Sequence, residues 1–157
     1  MAEIRPLKSE EIPLLEEFLY QVIFIPQGLA PLSRSIMNEP YLEMYIKDFG
    51  QQPDDLALAA EVDGQLVGAV WVRIMKDYSY YDDQTPSLSF SFLPEFRSQG
   101  LGQQLMTAML DLLKAKGYPS VSLSVSKDNP AVRFYQRLGF VTVEEREEDY
   151  LMLCRLK

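Results

Sequence analysis

Apolar residues recur at two different spacings along this chain, and the spacing separates predicted helices from predicted strands. A short apolar opening around Ile4 predicts an edge strand. Ser9 then stands where a helix N-cap belongs, and Glu10 and Glu11 suit the positive end of a helix. The helical spacing continues in Ile12, Leu15, Phe18, Leu19 and Val22. This pattern predicts a helix that ends before the glycine- and proline-containing stretch 26–31, with a second short helix over residues 40–48.

The middle of the chain changes to strand patterns. Segments 56–62 and 65–74 are rich in strand-forming residues and flank the pair Asp63-Gly64. Such a pair predicts a two-residue hairpin, because a type I′ turn needs positive φ at both positions. Apolar residues alternate with serines over 87–92, which predicts a further strand after a loop over 75–86.

The second half predicts a strand–helix–strand unit. A helix over residues 102–116 carries an apolar stripe and is followed by Gly117, which suits the position after a helix end. Val121, Leu123 and Val125 then alternate with serines and predict the second strand. Such a crossover joins parallel strands with a right-handed turn.

The last segments complete the predicted fold. Asn129 caps a helix that has Pro130 at its first position and ends at Gly139. Strands over 140–143 and 150–156 close the chain, joined by an acidic turn over 144–149. We therefore predict one domain over residues 1–157, of the α/β (α+β) class, with a mixed central sheet of six to seven strands and helices on both faces.

Charge and composition narrow the function. The net charge of −8 opposes binding to nucleic acid, and it suits either a cationic small substrate or simple solubility. The chain has no histidine and one cysteine, Cys154, which excludes a Ser-His-Asp triad, a histidine-ligated zinc site and an intrachain disulfide. We expect a cytoplasmic protein with no metal, no membrane span and no secretory signal.

A glycine-containing turn over 97–103 lies between a predicted strand and a predicted helix. Gly100 and Gly102 allow a ligand to approach the backbone, the helix start adds unpaired N–H groups, and Arg97 adds a positive charge. Together these features predict a pyrophosphate site, although two glycines alone would suit any tight loop. The spacing matches neither the dinucleotide-binding fingerprint nor the Walker A motif.

Two motifs in order give this turn a family resemblance. Residues 92–102 read FLPEFRSQGLG, and residues 129–140 read NPAVRFYQRLGF. Together they resemble the acetyl-CoA signature and the second motif of the GNAT superfamily of N-acetyltransferases. The resemblance covers residues 88–140 and implies a sheet that is splayed between its two parallel central strands. It also implies acetyl-CoA as cosubstrate.

The resemblance implies roles for particular residues. The backbone N–H of Phe92 would face the thioester oxygen, and Tyr135 would protonate the departing thiolate as a general acid, although a core aromatic is the alternative. The implied cofactor-binding residues are Phe92, Leu93, Arg97, Ser98, Gln99, Gly100, Leu101, Gly102, Gln103, Asn129 and Tyr135. A homodimer is common in the family.

The general base is where this sequence departs from the family. Many members place a glutamate on the strand before the turn, whereas this strand offers Ser89 and Ser91. These hydroxyls could order a water that carries the amine proton to a carboxylate of loop 77–83, which would then line the acceptor pocket and select a cationic amine; a solvated acidic loop is the alternative. The candidate acceptor-binding residues are Tyr41, Asp77, Tyr80, Ser89 and Ser91.

The predicted reaction is direct acetyl transfer to a primary amine of a small molecule or peptide, with a cationic acceptor as one option. A non-catalytic acyl-CoA-binding or sensing module on the same fold is the alternative. The sequence does not name the acceptor or the acyl-chain length.

Overall fold

The fold is a single open sheet of seven strands with helices on both faces. It is seen in a computed structural model that describes residues 2–23, 33–77, 79–97 and 100–157. The strand order in the sheet is β1-β2-β3-β4-β5-β7-β6. The strands are β1 (Ala2–Pro6), β2 (Leu56–Val62), β3 (Gln65–Arg73), β4 (Ser87–Phe92), β5 (Ser120–Ser126), β6 (Val141–Glu145) and β7 (Asp149–Arg155). The α-helices are α1 (Leu15–Val22), α2 (Pro40–Glu43), α3 (Leu101–Ala115) and α4 (Ala131–Arg137).

Several elements match their sequence patterns closely. Asp63 and Gly64 have φ of 50° and 85°, as a type I′ hairpin between β2 and β3 requires. The serine–apolar alternation of β4 and β5 places their apolar side chains on one face of the sheet and their serines on the other. No helix among the described residues is long and apolar enough to span a bilayer.

The first two helices and the last turn differ from the sequence prediction. The first predicted helix starts as a 3₁₀ segment, Ser9–Leu14, because Pro13 cannot donate to an α-helical ladder. Its N-cap is Lys8 rather than Ser9, and the Lys8 N–H donates to the Glu11 carboxylate at 2.8 Å. The second predicted helix is α-helical only over α2 and continues as turns. The predicted acidic turn is shorter, because β6 extends through Glu145 and pairs with β7.

Each face of the sheet buries its own apolar cluster. α3 and α4 cover one face, with Leu105, Met106, Met109 and Leu113 of α3 fully buried against β-strand side chains. On the opposite face, α1 packs Phe18 and its neighbours against Trp71. Burial of each such side chain contributes roughly 1.5–3 kcal/mol, so both faces stabilise the same sheet.

β4 and β5 are parallel neighbours that separate almost at once. Their register contains one pair, Ser87 with Ser122, beside a hydrogen bond from the Ser122 N–H to the Pro86 carbonyl at 3.0 Å. The remaining described residues of the two strands do not pair with each other. The predicted splay between the parallel central strands is therefore present, and it opens toward the end of β4 that leads into α3.

Candidate functional site

A cavity of about 1050 Å³ occupies the opening between β4 and β5. Its walls come from the end of α1, the diverging parts of β4 and β5, the start of α3, and α4. The cleft passes through the sheet, so that one end faces α4 and the other end faces α1. The glycine-containing turn and the serine-bearing faces of both strands therefore border the same cavity.

The turn before α3 directs unpaired backbone donors toward the cavity. Gly100 adopts a left-handed conformation, with φ of 80°, and caps α3 without a side-chain hydrogen bond. The N–H groups of Leu101, Gly102 and Gln103 fall in the first turn, where a helix has no acceptors of its own. Gly100, Gly102 and Gln103 line the cavity, whereas the Leu101 side chain is buried in the core. Ser98 and Gln99, also predicted to belong to this turn, lie outside the described residues.

Gly102 lets the start of α3 approach two aromatic rings closely. A Cβ atom at this position would lie 3.1 Å from Phe90 Cζ and 3.6 Å from Phe134 Cζ. The stacked rings of Phe90 and Phe134, with centroids 5.8 Å apart, form the cavity wall beside it. The absence of a side chain therefore lets the positive end of α3 reach the cavity.

Arg97 contributes its side chain rather than its backbone to the site. Its N–H already donates to the Pro94 carbonyl at 3.3 Å. The guanidinium donates to the Phe92 carbonyl at 3.1 Å and to Gln21 Oε1 at 3.0 Å. The charge therefore lies at the cavity edge, between the end of β4 and the end of α1.

The backbone of β4 presents a free edge to the cavity. The Leu93 N–H donates to the Val67 carbonyl of β3 at 2.9 Å, and the Pro86 carbonyl accepts from β5. Because successive peptide groups of a strand point to opposite edges, the N–H groups of Phe90 and Phe92 point toward β5. Phe92 lines the cavity, while Leu93 bonds to β3 and is not among the lining residues that the structure describes.

Tyr135 of α4 brings a buried phenol to the same cavity. Its ring packs against the rings of Phe90, Phe134 and Phe140, with centroid separations of 6.5, 5.6 and 5.9 Å. Its hydroxyl forms no hydrogen bond with another described residue. Burial raises the pKa of Tyr135 well above its ordinary value, so the phenol stays protonated throughout the physiological pH range.

Asn129 connects the end of β5 to the start of α4. Its N–H donates to the Ser126 carbonyl at 3.0 Å, and its Oδ1 accepts from the Ala131 N–H at 2.9 Å. The N-cap position falls on Pro130, yet the Asn129 side chain performs the predicted capping. Asn129 also lines the cavity.

Hydroxyl groups line the end of the cavity that faces α1. Ser91 donates to the Phe18 carbonyl at 2.7 Å, which places the serines of β4 on the α1 side of the sheet. Ser89 is buried and forms no hydrogen bond with another described residue. Across the cleft, Ser124 Oγ lies 3.0 Å from Ser79 Oγ. Ser89, Ser91 and Ser124 all line the cavity.

Three predicted acceptor-binding residues lie outside the lining that the structure describes. Tyr41 is exposed on α2. Asp77 accepts from Ser87 Oγ at 2.7 Å, at the narrow point where β4 and β5 still pair, and its other carboxylate oxygen is buried without a hydrogen-bond partner among the described residues. Tyr80 donates to Asp83 at 2.7 Å on the loop surface. The loop is therefore packed beside the strands rather than across the cavity.

Some lining residues were not predicted individually. Gln21 and Ser124 line the cavity from α1 and β5. Tyr20 lines the cavity beside Gln21. The described residues contain no group of histidine, cysteine and acidic side chains positioned to bind a metal ion.

Known proteins resemble this chain in both sequence and structure. The acetyltransferase (GNAT) family model matches residues 26–140. Acetyltransferase ECA0875 of Pectobacterium atrosepticum is 34% identical over 109 residues, which are 68% of this chain and 71% of that protein. Mycothiol acetyltransferase of Clavibacter sepedonicus is 35% identical over 89 residues, which are 56% of this chain and 27% of that protein. The chain therefore spans just over a quarter of the length of that relative.

A solved structure supports the same fold. The PaiA N-acetyltransferase of Thermoplasma acidophilum, in complex with coenzyme A, superposes with a TM-score of 0.67 at 20% identity, covering 99% of both chains. At that identity the likeness concerns the fold. The family-model match covers most of the chain, and the Pectobacterium relative is covered over more than two thirds of its length. The chain belongs to the acetyltransferase (GNAT) family.

Proposed function

We propose that this chain transfers an acetyl group from acetyl-CoA directly to a primary amine. The observation that carries the proposal is the cleft between β4 and β5, which opens at the unpaired N-terminus of α3. A pyrophosphate needs such donors, and a strand-like pantetheine arm needs a free strand edge. The similar Thermoplasma acidophilum fold in complex with coenzyme A is consistent with this use of the cleft.

The residues around the turn fit an anionic cosubstrate. Backbone N–H groups at Gly100, Leu101, Gly102 and Gln103 would bind the pyrophosphate, and the Arg97 guanidinium would turn from Gln21 toward it. The close approach of the Gly102 backbone to the Phe90 ring, which a Cβ would disturb, supports this fit. Ser98 and Gln99 belong to the proposed turn on sequence grounds.

The free edge of β4 and the opposite side of the cleft would hold the rest of the cosubstrate. We assign Phe92, with the adjoining Leu93, to the pantetheine contact, and Asn129 to the cofactor arm across the cleft. Leu93 would act through its position beside Phe92, since its own N–H bonds to β3.

Two groups would stabilise charge during acyl transfer. Attack of the amine on the thioester carbon forms a C–N bond and places negative charge on the carbonyl oxygen, where the Phe92 N–H would donate. Cleavage of the C–S bond then places the charge on sulfur, where the Tyr135 hydroxyl would donate. Because the pKa of the buried phenol exceeds that of a thiol, a hydrogen bond to the departing thiolate is favoured over complete proton loss from Tyr135.

The amine must lose a proton after attack. Ser89 and Ser91 line the α1 end of the cavity, and the Ser89 hydroxyl, which bonds to no other described residue, would orient a water that accepts this proton. Tyr41, Asp77 and Tyr80 stay predictions for acceptor binding. Replacement of each loop aspartate by asparagine, with unchanged acceptor KM and kcat, would remove the loop from the acceptor site.

We also propose a domain organisation, a location and an oligomeric state for the protein. One sheet shared by both apolar clusters supports a single domain over residues 1–157. The single cysteine supports a reducing, cytoplasmic location. A homodimer is proposed from the family resemblance alone.

A thiol-release assay tests the proposed function. The protein, acetyl-CoA and a mixed panel of primary amines should release free CoA, and Tyr135→Phe should lower kcat at least about tenfold while acetyl-CoA still binds. Tyr118→Phe removes a phenol outside the cavity lining and serves as the control. Acetyl-CoA binding without thiol release from any amine would favour a sensing module instead.

A further inference from the structure

The α1 end of the cavity carries neutral polar groups beside the Arg97 guanidinium, and these groups bear on the acceptor. Ser89, Ser91, Ser124 and Tyr20 supply hydroxyls there, and Gln21 supplies an amide. In contrast to the strongly acidic chain as a whole, the charged side chains among the described lining residues are two arginines, Arg97 and Arg137.

No carboxylate among the described residues lines the cavity, and none of the residues outside the description is an aspartate or a glutamate. The carboxylate nearest along the hydrogen-bond network is Glu17, which accepts from Gln21 Nε2 at 2.7 Å. Glu17 also bonds to Arg34 at 2.5 Å, and this contact lowers its pKa. Its charge is therefore already neutralised by a neighbouring guanidinium.

Resting on the proposed function, we propose that the acceptor is a weakly basic primary amine, specifically the α-amino group of a peptide or aminoacyl compound. A cationic ammonium group entering this end would lose water without gaining an opposite charge, which is costly. A neutral amine loses less, and hydroxyl and amide oxygens can accept hydrogen bonds from it. The lining therefore selects the amine by its protonation state.

The protonation difference between amine classes is large near neutral pH. An α-amino group has a pKa of about 7.7–8.0, so roughly one third of it is neutral at about pH 7.5. A lysine-type alkylamine has a pKa of about 10.4, which leaves only about one molecule in 800 neutral at that pH. The neutral fraction thus favours the α-amine by roughly 300-fold. The α-amine is also the weaker nucleophile of the two, which reduces the expected preference in kcat/KM to at least about tenfold.

A matched pair of acceptors tests this selection. Alaninamide offers only an α-amino group, and Nα-acetyl-lysine amide offers only an alkylamine. We expect kcat/KM at least about tenfold higher for alaninamide, levelling off above about pH 8, while the value for the lysine compound keeps rising with pH. A higher kcat/KM for the lysine compound, or for spermidine, overturns the inference and leaves the proposed acetyl transfer intact. No thiol release with any amine overturns both.

A charge introduced at Ser89 provides the second test. Ser89→Asp places a carboxylate at the cavity wall, and Ser89→Asn places a neutral side chain of the same size there. The aspartate variant should raise kcat/KM for Nα-acetyl-lysine amide relative to alaninamide at least about fivefold over the asparagine variant. Acetyl-CoA affinity, measured by calorimetry, shows that both variants are folded. Equal ratios in the two variants overturn the inference.

Discussion

Replacement of Gly102 by alanine tests the proposed pyrophosphate site most specifically. A Cβ at this position meets the Phe90 ring at 3.1 Å, so the helix start and the ring must separate by a few tenths of an ångström. Alanine is also a better helix former than glycine by about 0.5–1 kcal/mol. These two effects oppose each other, and we expect the free energy of unfolding to change by less than about 1 kcal/mol.

The effect on acetyl-CoA binding should be larger. The methyl group would push the start of α3 away from the Phe90 ring, which would displace the N–H groups of α3 that a phosphate would contact. Loss of one hydrogen bond to a charged group costs about 1.5–3 kcal/mol, which corresponds to an affinity about ten- to a hundredfold weaker. Calorimetric titration of acetyl-CoA measures this change, and chemical denaturation of the same sample measures stability.

Gly117→Ala supplies the control, because Gly117 follows the other end of α3 and has φ of 89°. Alanine is strained at that φ, so this variant should lose about 1 kcal/mol of stability and keep its affinity for acetyl-CoA. Wild-type affinity in Gly102→Ala, or an equal loss in both variants, would refute the proposed role of the turn.

Three further predictions concern the sheet and its surroundings. Gly68→Ala places a Cβ 2.5 Å from the Phe92 ring, so we expect about 1–3 kcal/mol of destabilisation by chemical denaturation and weaker acetyl-CoA binding. Asp55→Ala leaves the buried guanidinium of Arg73 without its 2.9 Å carboxylate partner and should cost about 3–5 kcal/mol of unfolding free energy; a loss below about 1 kcal/mol would contradict this. An adjacent arginine lowers the pKa of Glu11 from 4.5 to about 2, so this carboxylate stabilises the fold above about pH 4.5 and loses that contribution as the pH falls toward 2. Glu11→Gln should therefore flatten the fall in unfolding free energy over that range, and an unchanged slope would count against the ion pair.

The strands were predicted well because each strand pattern depends only on residues that are neighbours in the sequence. Asp63-Gly64 encodes its turn through backbone conformations that few other pairs adopt. The serine–apolar alternation of β4 and β5 likewise encodes which face is buried. The cleft itself was implied by the family resemblance, and both Gly100 and Gly102 line it.

Features that depend on distant contacts were not readable from the sequence. The register between β2 and β3 shifts at Val67, which is skipped between the pairs Ala60–Gly68 and Glu61–Leu66. No residue pattern marks this irregularity. Separately, the Leu93 N–H continues the regular pairing of β4 with β3 by donating to the Val67 carbonyl, and it therefore points away from the cleft.

The position of the acidic loop over residues 77–83 also depends on contacts between residues that are distant in the sequence. The loop is predicted to line the acceptor pocket, and in the structure Asp77 accepts a hydrogen bond from Ser87 where β4 and β5 still pair, outside the described cavity lining. The contribution of Gln21 to the cavity wall similarly depends on how α1 crosses the sheet. A helical pattern specifies the buried stripe of α1 and not which of its flanking residues border a cleft.

The central claim is that the cleft between β4 and β5 binds acetyl-CoA for transfer to an amine. The most direct measurement is a calorimetric titration of the wild-type chain with acetyl-CoA, followed on the same sample by addition of alaninamide and detection of free thiol. The account predicts saturable binding with one acetyl-CoA per chain and continuous thiol release once the amine is present. Absence of binding at millimolar acetyl-CoA would contradict it.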